Sequence, residues 1–451
     1  MREYKNTRNP ILPPDIHIPD GEGHVMTDGR LYIYGSYDET ANEYCSDRYY
    51  VVSTADMEKW VIHDEAFTAE AVTWIHDGNA PKYPGIDREH PTPFMKKILE
   101  EAAGSNDIQE EGDETADEEA VFLYAPDCIY KDGRYYIYFC TSDDREGVAV
   151  SECPQGPFTN PVQLPCGGID PAVFIDDDGK AYYYWGQLFS HGVRLNEDMI
   201  SFDPDNIVDN LVTEEKHFFH EGSSMRKMND TYYYVYADMQ RGRPTALGYA
   251  TGSSPLGPFE YRGIIIDNAG CDPESWNNHG SIECVNGQWY VFYHRSSRGC
   301  RQYRRLCIEP IFINPDGTID EVKMTSQGPG KPFGPGEKIM GYQACGLKGS
   351  VYIGAEENRG AAYEEILTHI CHGDEAIFRY VHSQVEFRSI RILASGSGQI
   401  EVLMNGHSAG TVKITDGVQL NRDINMPAGE YELVLRFMET EGLEIREIVI
   451  N

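Results

Sequence analysis

The segment Asp132-Gly133-Arg134-Tyr135-Tyr136-Ile137-Tyr138 joins a turn to a strand that is rich in aromatic residues. An Asp-Gly pair ahead of such a strand is typical of a β-hairpin. Similar phrases begin at residues 28, 132, 178, 229 and 286 of the 451-residue chain. After one long first interval they recur every ~45–60 residues, a period typical of propeller blades. The five copies therefore predict a five-bladed β-propeller.

The repeats also divide the chain into regions. We predict that residues 1–325 form the propeller and that residues 76–120, which carry a run of acidic side chains, are an insertion between blades. The Gly/Pro-rich residues 326–340 predict a linker. Residues 341–451 contain short alternating strands between Gly/Asn turns, which predict a β-sandwich of the jelly-roll type. The predicted fold class is all-β.

The composition restricts the partners of the protein. A formal net charge of −35 argues against binding to nucleic acid or to an anionic membrane, whereas a neutral sugar would not be repelled. The chain contains no run of ~18 apolar residues, so we predict no membrane span. The first residues lack an apolar signal region, and eleven cysteines without a CxxC pair favour a reducing, cytoplasmic compartment. Homo-oligomer formation is left open.

Three acidic residues share one position in the repeat. Asp20, Asp170 and Glu221 each stand eight residues before the turn of their blade, at residues 28, 178 and 229. Equivalent positions on the innermost strands of a propeller face the same axis, so we expect these carboxyl groups to converge. Converging carboxylates raise the pKa of at least one member. An acid and a base of this kind are what the hydrolysis of an acetal requires.

With these residues in place, the chain resembles glycoside hydrolase family 43, five-bladed propellers that cleave arabinosyl and xylosyl linkages with inversion. The resemblance covers residues 9 to about 325. It rests on these segments: Asn9-Pro10-Ile11-Leu12, the surroundings of Asp20, Ala125-Pro126-Asp127, Ile169-Asp170-Pro171-Ala172-Val173-Phe174, Glu221-Gly222 and His279-Gly280-Ser281-Ile282.

The resemblance implies a role for each acidic residue that stands in phase. Asp20 matches the general base, and Glu221 matches the general acid. Asp170 matches the carboxylate that tunes the pKa of the acid and orients the substrate. Catalysis of this kind implies no required cofactor.

Three further residues are candidates for binding. The resemblance implies that Arg304, which stands in an arginine-rich segment, reaches a sugar hydroxyl, and we predict that Asp127 also contacts substrate. Asp127 stands only five residues before its turn and is therefore out of phase with the other acids. His279 matches a central histidine that in many members lies near a bound calcium ion or a water cluster. The resemblance thus implies a structural Ca²⁺ at the centre of the propeller.

The C-terminal region resembles, more weakly, a carbohydrate-binding module of family 6, on the strand and turn order around Gly396-Ser397-Gly398-Gln399-Ile400-Glu401-Val402. Such modules usually stack sugars on exposed aromatic rings. All five tryptophans lie at or before Trp289, so this domain contains none. Two interpretations stay open: a structural domain, or a weak sugar binder that uses tyrosine.

Together these observations predict an inverting α-L-arabinofuranosidase or β-xylosidase. It would release terminal or side-chain pentose from plant-derived oligosaccharides, such as fragments of xylan. A family member that cleaves β-galactosides, a non-catalytic sugar-binding propeller and a protein-scaffold propeller are the alternatives. The three acidic residues in phase speak against the non-catalytic alternatives, because binding alone needs no acid–base set.

Overall fold

The computed structural model of the chain describes residues 1–83, 121–356, 364–415, 417–421 and 424–451. Most of the predicted acidic insertion, residues 76–120, lies outside these ranges. The described residues form strands and a few single helical turns, which are Ala69–Ala71, Thr73–His76, Pro204–Asn206, Glu214–His217 and Gly341–Gln343. No helix among them is long and apolar enough to cross a membrane.

Five β-sheets form the blades of the propeller. Blade 1 contains β1 (Arg2–Lys5), β2 (Glu22–Val25), β3 (Leu31–Tyr34), β4 (Arg48–Thr54) and β5 (Lys59–Thr68), in the order β1-β5-β4-β3-β2. Blade 2 contains β6 (Asp127–Lys131), β7 (Arg134–Cys140), β8 (Arg145–Ser151) and β9 (Thr159–Gly167). Blade 3 contains β10 (Ala172–Ile175), β11 (Ala181–Trp185), β12 (Phe189–Arg194) and β13 (Val208–Thr213). Blade 4 contains β14 (Phe219–Met228), β15 (Thr231–Asp238), β16 (Ala246–Gly252), β17 (Phe259–Asp267) and β21 (Val322–Lys323). Blade 5 contains β18 (Ser281–Val285), β19 (Gln288–Ser297) and β20 (Cys300–Ile311). The predicted five-bladed propeller is confirmed.

Each repeated phrase forms the turn and the second strand of a blade. Gly133 and Gly287 lie in these turns with φ of 86° and 84°, a conformation that favours glycine. The aromatic side chains of the second strands then pack between neighbouring blades. The ring centroids of Tyr138 in blade 2 and Tyr183 in blade 3, for example, are 5.2 Å apart. The repeat thus encodes both the hairpin and the contact between blades.

The N-terminal segment closes the ring against blade 5. The amide of Ile11 donates to the carbonyl of Leu306 in β20, at 3.0 Å. The side-chain amide of Asn9 donates to the carbonyl of Ile308 and accepts from its N–H, at 3.2 and 2.9 Å. Because Asn9 pairs with a strand that lies 299 residues further along the chain, the segment leading to Asp20 is held by the last blade.

The C-terminal domain is one continuous antiparallel sheet folded around its own core. Its strands are β22 (Lys338–Met340), β23 (Gly346–Lys348), β24 (Tyr352–Glu356), β25 (Glu364–Thr368), β26 (Glu375–Ser383), β27 (Ile390–Met404), β28 (His407–Ile414), β29 (Gly417–Asn421) and β30 (Gly429–Ile450). The long, bulged strands β27 and β30 pair with each other and with strands on either side, which makes the predicted sandwich barrel-like. β22 begins at Lys338, so the domain starts inside the predicted linker 326–340.

The interface between the two domains contains a buried carboxylate. Glu365 of β25 is ion-paired with Arg305 of β20, and its other oxygen lies 3.3 Å from Nε of Arg298. His17, three residues before Asp20, lies 3.8 Å from the same carboxylate. Burial opposes the ionisation of Glu365, but Arg305, His17 and Arg298 outweigh it and lower its pKa to about 2. The C-terminal domain therefore supplies the counter-charge for arginines of blade 5.

Candidate active site

The three acidic residues that stand in phase lie at the same end of their innermost strands. Asp20 stands two residues before β2, Asp170 stands two residues before β10, and Glu221 is the third residue of β14. Asp20 and Asp170 have nearly the same left-handed backbone, with φ of 57° and 56°. This conformation costs ~1–3 kcal/mol for a residue with a side chain and is concentrated at functional sites. The repeat therefore preserves an unfavourable backbone at both aspartates.

His279 joins the three acidic residues. Its Nδ1 lies 3.7 Å from a carboxylate oxygen of Asp20 and 3.7 Å from one of Asp170. A Cβ atom added at Gly222 would lie 2.9 Å from Nε2 of His279, so the backbone after Glu221 passes directly against the ring. The backbone N–H of Gly222 also acts on Asp170, in the direction that lowers its pKa. The structure therefore brings all three acidic residues together around His279.

Asp20 is held as an ionised carboxylate. Its oxygens accept hydrogen bonds from the hydroxyl of Ser36 at 2.7 Å and from the guanidinium of Arg304 at 3.0 Å. His294 is the third neighbour, with Nδ1 at 3.3 Å. Burial opposes the charge, but Arg304 and His294 outweigh it and lower the pKa of Asp20 far below its usual range. A carboxylate that stays ionised at working pH can accept a proton from water.

Arg304 contacts two carboxylates, and its expected contact with a sugar hydroxyl stays a prediction. Its guanidinium is buried and makes two hydrogen bonds to Asp38, at 2.9 and 2.8 Å, in addition to the one to Asp20. Such a two-point contact fixes the planar guanidinium in one orientation. Asp38 thus orients the guanidinium of Arg304, which in turn positions Asp20.

The pKa values of Asp170 and Glu221 move in opposite directions. Burial and the negative charges of Glu221 and Asp20 raise the pKa of Asp170 well above its usual range. Burial acts in the same direction on Glu221, but its polar neighbours, among them the amide of Gln187 and the guanidinium of Arg243, outweigh it and lower its pKa. Asp170 therefore holds a proton more readily than Glu221, the reverse of the order that the resemblance implied.

The polar neighbours of Glu221 explain this difference. The side-chain amide of Gln187 donates to a Glu221 oxygen at 2.8 Å. Nε2 of the buried His220 lies 3.8 Å from the same oxygen and accepts from the guanidinium of Arg243 at 3.0 Å. The amide of Gln187 and the positive charge of Arg243 stabilise the charged form of Glu221. Gln187 lies in blade 3 and Arg243 in the loop between β15 and β16, so neither could be read from the residues around Glu221.

Several neighbours of the acidic residues, which the sequence analysis did not identify, stand at one fixed position relative to the turns of the repeat. In an antiparallel hairpin, a residue eight positions before the turn lies opposite the residue eight positions after it. Glu221 accordingly pairs with Ala237. The positions eight or nine residues after the turns carry side chains that contact the acidic residues, and these are Ser36, Cys140, Gln187 and His294. Reflecting Asp20 across its turn finds Ser36, and taking the position eight or nine residues after the other turns finds the remaining three.

Asp127 lies one layer deeper along the axis than the three acidic residues. Its carboxylate accepts from the N–H of Val173 at 2.7 Å and from that of Cys128 at 2.6 Å, and it contacts Nε2 of His24 at 2.7 Å. Burial raises the pKa of Asp127 to about 7. Through Val173 and His24 the carboxylate joins blade 2 to blades 3 and 1, and its expected contact with substrate stays a prediction.

The same layer contains a group of potential metal ligands. Ligand atoms of Glu22, His24 and Asp127 lie within 4.8 Å of one another. Glu22, however, is ion-paired with Arg226 at 2.7 Å, so a fixed cation already balances this layer. Calcium takes six to eight oxygen ligands. The donor set, with its oxygens committed to N–H groups and a guanidinium, does not fit a calcium ion.

The chain matches one protein family along much of the propeller. The model of glycosyl hydrolases family 43 matches residues 101–319. A β-xylosidase of Xylanibacter ruminicola is 32% identical over 69% of this chain and 98% of that protein. A xylosidase/arabinosidase of Thermoclostridium stercorarium is 29% identical over 76% of this chain and 72% of that protein.

A solved structure also resembles the described fold. It is a β-xylosidase/α-arabinofuranosidase of this family from a compost microbial metagenome, in complex with xylotriose and in a calcium-free form. The two structures superpose with a TM-score of 0.53 at 28% identity, covering 71% of this chain and 99% of that chain. The covered 71% of this chain corresponds in length to the propeller.

Proposed function

The chain belongs to glycosyl hydrolase family 43 and is a glycosidase, and we propose that it releases pentose units, arabinofuranose or xylose, from oligosaccharides with inversion at the anomeric carbon. One observation carries the proposal. Asp20, Asp170 and Glu221 converge around His279, and there Arg304 lowers the pKa of Asp20 while burial and neighbouring carboxylates raise that of Asp170. Inverting hydrolysis needs an ionised carboxylate as the base and a protonated carboxyl group as the acid.

The proposed reaction assigns one step to each carboxyl group. Asp20 removes a proton from a water molecule, which attacks the anomeric carbon. Glu221 donates a proton to the oxygen of the leaving sugar, so that this oxygen departs as a hydroxyl. The proton reaches Glu221 from Asp170. A sugar hydroxyl that donates a hydrogen bond to Asp170 would stabilise its ionised form and thereby return the proton to Glu221.

The test is a panel of aryl glycosides with product analysis. We expect release of nitrophenol from the α-L-arabinofuranoside or the β-D-xyloside, with little release from the β-galactoside. Proton NMR of the first-formed sugar should show the inverted anomer. Retention at the anomeric carbon would contradict water activation by Asp20, and cleavage of the galactoside alone would contradict the pentose assignment.

Replacing Asp170 by Asn should move the alkaline limb of the pH–rate profile to lower pH. The substitution removes the charge that keeps a proton on the pair, so Glu221 loses its proton more easily. A limb that moves by about one pH unit corresponds to a loss of ~1.4 kcal/mol of interaction between the two carboxyl groups. The measurement is kcat/KM against pH for wild type and Asp170→Asn. If Asp170 only binds a sugar hydroxyl, KM rises or kcat falls and the limb stays where it was.

The proposed reaction involves no metal ion in any step. Calcium at the propeller centre stays a prediction. His279 has two carboxylate oxygens at 3.7 Å, and both belong to the acid–base groups. These are fewer oxygen ligands than the six to eight that calcium takes, so side chains alone do not form a calcium site there.

We regard the role of the C-terminal domain as mainly structural. The buried ion pair between Glu365 and Arg305 supports this role. Arg305 is the next residue after Arg304, whose guanidinium binds Asp20. Sugar binding by this domain stays a prediction. A reducing, cytoplasmic location also stays a proposal. Its support is that all eleven cysteines are unpaired and that most of them are buried.

A further inference from the structure

A pair of arginines and a tryptophan lie beside the proposed general acid. The guanidinium carbon of Arg243 lies 4.4 Å from the ring centroid of Trp276, and that of Arg301 lies 3.9 Å from the same centroid. Arg243 also donates to His220, which lies 3.8 Å from Glu221. We refer to Arg243, Trp276 and Arg301 as the arginine rim.

The position of the rim assigns it to the leaving part of the substrate. Glu221 donates its proton to the oxygen that the departing sugar keeps. That sugar must therefore lie on the side of Glu221 that faces away from the attacking water. Arg243 is connected to Glu221 through His220 and stacks on Trp276. Groups on the rim are thus within reach of the leaving sugar or of a branch on it.

The charge of the rim is unusual in this chain. The formal net charge is −35, yet no carboxylate among the described residues lies within 4.0 Å of the exposed guanidinium of Arg243. Arg301 has one acidic neighbour, Glu274, at the long distance of 3.8 Å. Stacking on the indole orients each planar guanidinium while leaving its N–H edges available, and such edges match a carboxylate through two hydrogen bonds.

The polar atoms under the rim add a second observation. Nδ1 of His220 is buried and has no hydrogen-bond partner in the described part of the chain. A buried polar atom without a partner costs ~1–3 kcal/mol, and such atoms are rare in folded proteins. This unpaired nitrogen lies on the residue that connects Arg243 to Glu221. The buried His220 ring therefore has one nitrogen without a partner, while its other nitrogen connects the arginine rim to Glu221.

The geometry points to a subsite for an acidic sugar: the arginine rim binds the carboxylate of a hexuronic acid carried by the leaving part of the substrate. This inference rests on the proposed function and specifies its substrate class. A neutral sugar would bind through hydroxyl groups and would not need two oriented guanidinium groups. A carboxylate uses both their charge and their planar N–H edges.

The test compares two oligosaccharides that differ only in the acidic branch. The probes are xylotriose and xylotriose with one glucuronic acid on its second xylose, and kcat/KM is measured for each. Their affinities for the inactive Glu221→Gln protein are measured by calorimetry. We expect a preference of about fivefold for the acidic probe, equivalent to ~1 kcal/mol, as an exposed ion pair supplies. Raising the salt concentration should weaken this preference.

Variants identify the groups that produce the preference. Arg243→Gln and Arg301→Gln should each reduce the ratio of the two kcat/KM values and of the two affinities towards one. Because the ratio compares two substrates on one protein, a change in the pKa of Glu221 cancels. The matched control is Arg194→Gln in β12, which removes an equally exposed arginine and should preserve the ratio.

Two outcomes would overturn the inference. One is equal kcat/KM and equal affinity for both probes in the wild type. The other is an Arg243→Gln variant that slows both probes equally, since the arginine would then act only through His220 and Glu221. Failure of the proposed function is distinguishable, because it would appear as no hydrolysis of any aryl pentoside, whereas the affinity comparison needs no hydrolysis.

Discussion

Replacing Glu221 by Gln is expected to reduce the hydrolysis of unactivated pentosyl oligosaccharides by about 10²–10⁴-fold. The amide keeps the shape of the side chain but has no acidic proton for the oxygen of the leaving sugar. Substrates whose leaving group is already a good one, such as nitrophenol, need less protonation and should lose less. The measurement is kcat/KM for an oligosaccharide and for its aryl glycoside, on the wild type and on the variant.

The matched control for this prediction lies in the same blade. Glu260→Gln makes the same chemical change at an exposed carboxylate in β17 and should leave both rates within a factor of two or so. Binding of oligosaccharide by Glu221→Gln should persist, because the substitution changes no other contact of the site. Near wild-type rates of Glu221→Gln on oligosaccharide would show that another group donates the proton.

Replacing Glu365 by Gln is expected to lower the free energy of unfolding by ~3–5 kcal/mol. Removing one partner of a buried ion pair leaves the other charge without compensation. Here Arg305 would stay fully buried opposite an amide, and Arg298 would lose the same partner. The measurement is unfolding in urea, monitored by tyrosine and tryptophan fluorescence.

The neighbouring residue provides the control. Glu364→Gln removes another carboxylate of β25, which is ion-paired with Arg446. The side chain of Glu364 is 56% exposed and that of Arg446 is 26% exposed. An exposed ion pair contributes ~0–1 kcal/mol, so this variant should unfold close to the wild type. If Glu364→Gln and Glu365→Gln unfold at the same urea concentration, the buried contact between the domains does not stabilise the protein.

The repeat made the propeller predictable from sequence. Each copy contains a hairpin turn and an aromatic strand, and both features are local in the chain. The spacing of Asp20, Asp170 and Glu221 from their turns was enough to place the three side chains on one axis, because blades of equal construction repeat the same geometry. Residues 84–120, most of the predicted acidic insertion, lie outside the described residues.

The contacts between distant segments were not predictable in the same way. Arg304 binds Asp38 and Asp20, which lie more than 260 residues earlier in the chain. Asp127 accepts hydrogen bonds from the backbone amides of Val173 and Cys128. Both residues were identified by motif, and a motif does not specify which opposite charge or amide lies nearest in the folded chain.

The sequence by itself determined the number of blades, the all-β class, and the identity and common position of the three acidic residues, because these follow from a turn and a strand repeated at one spacing. Only the tertiary structure decided the protonation of these residues. Arg304 and His294 come from blade 5, and Gln187 and Arg243 from blades 3 and 4, so the charge around each carboxyl is set by segments that meet only in the closed ring. A pKa depends on burial and on the distance to every nearby charge, and neither quantity exists until the chain has folded.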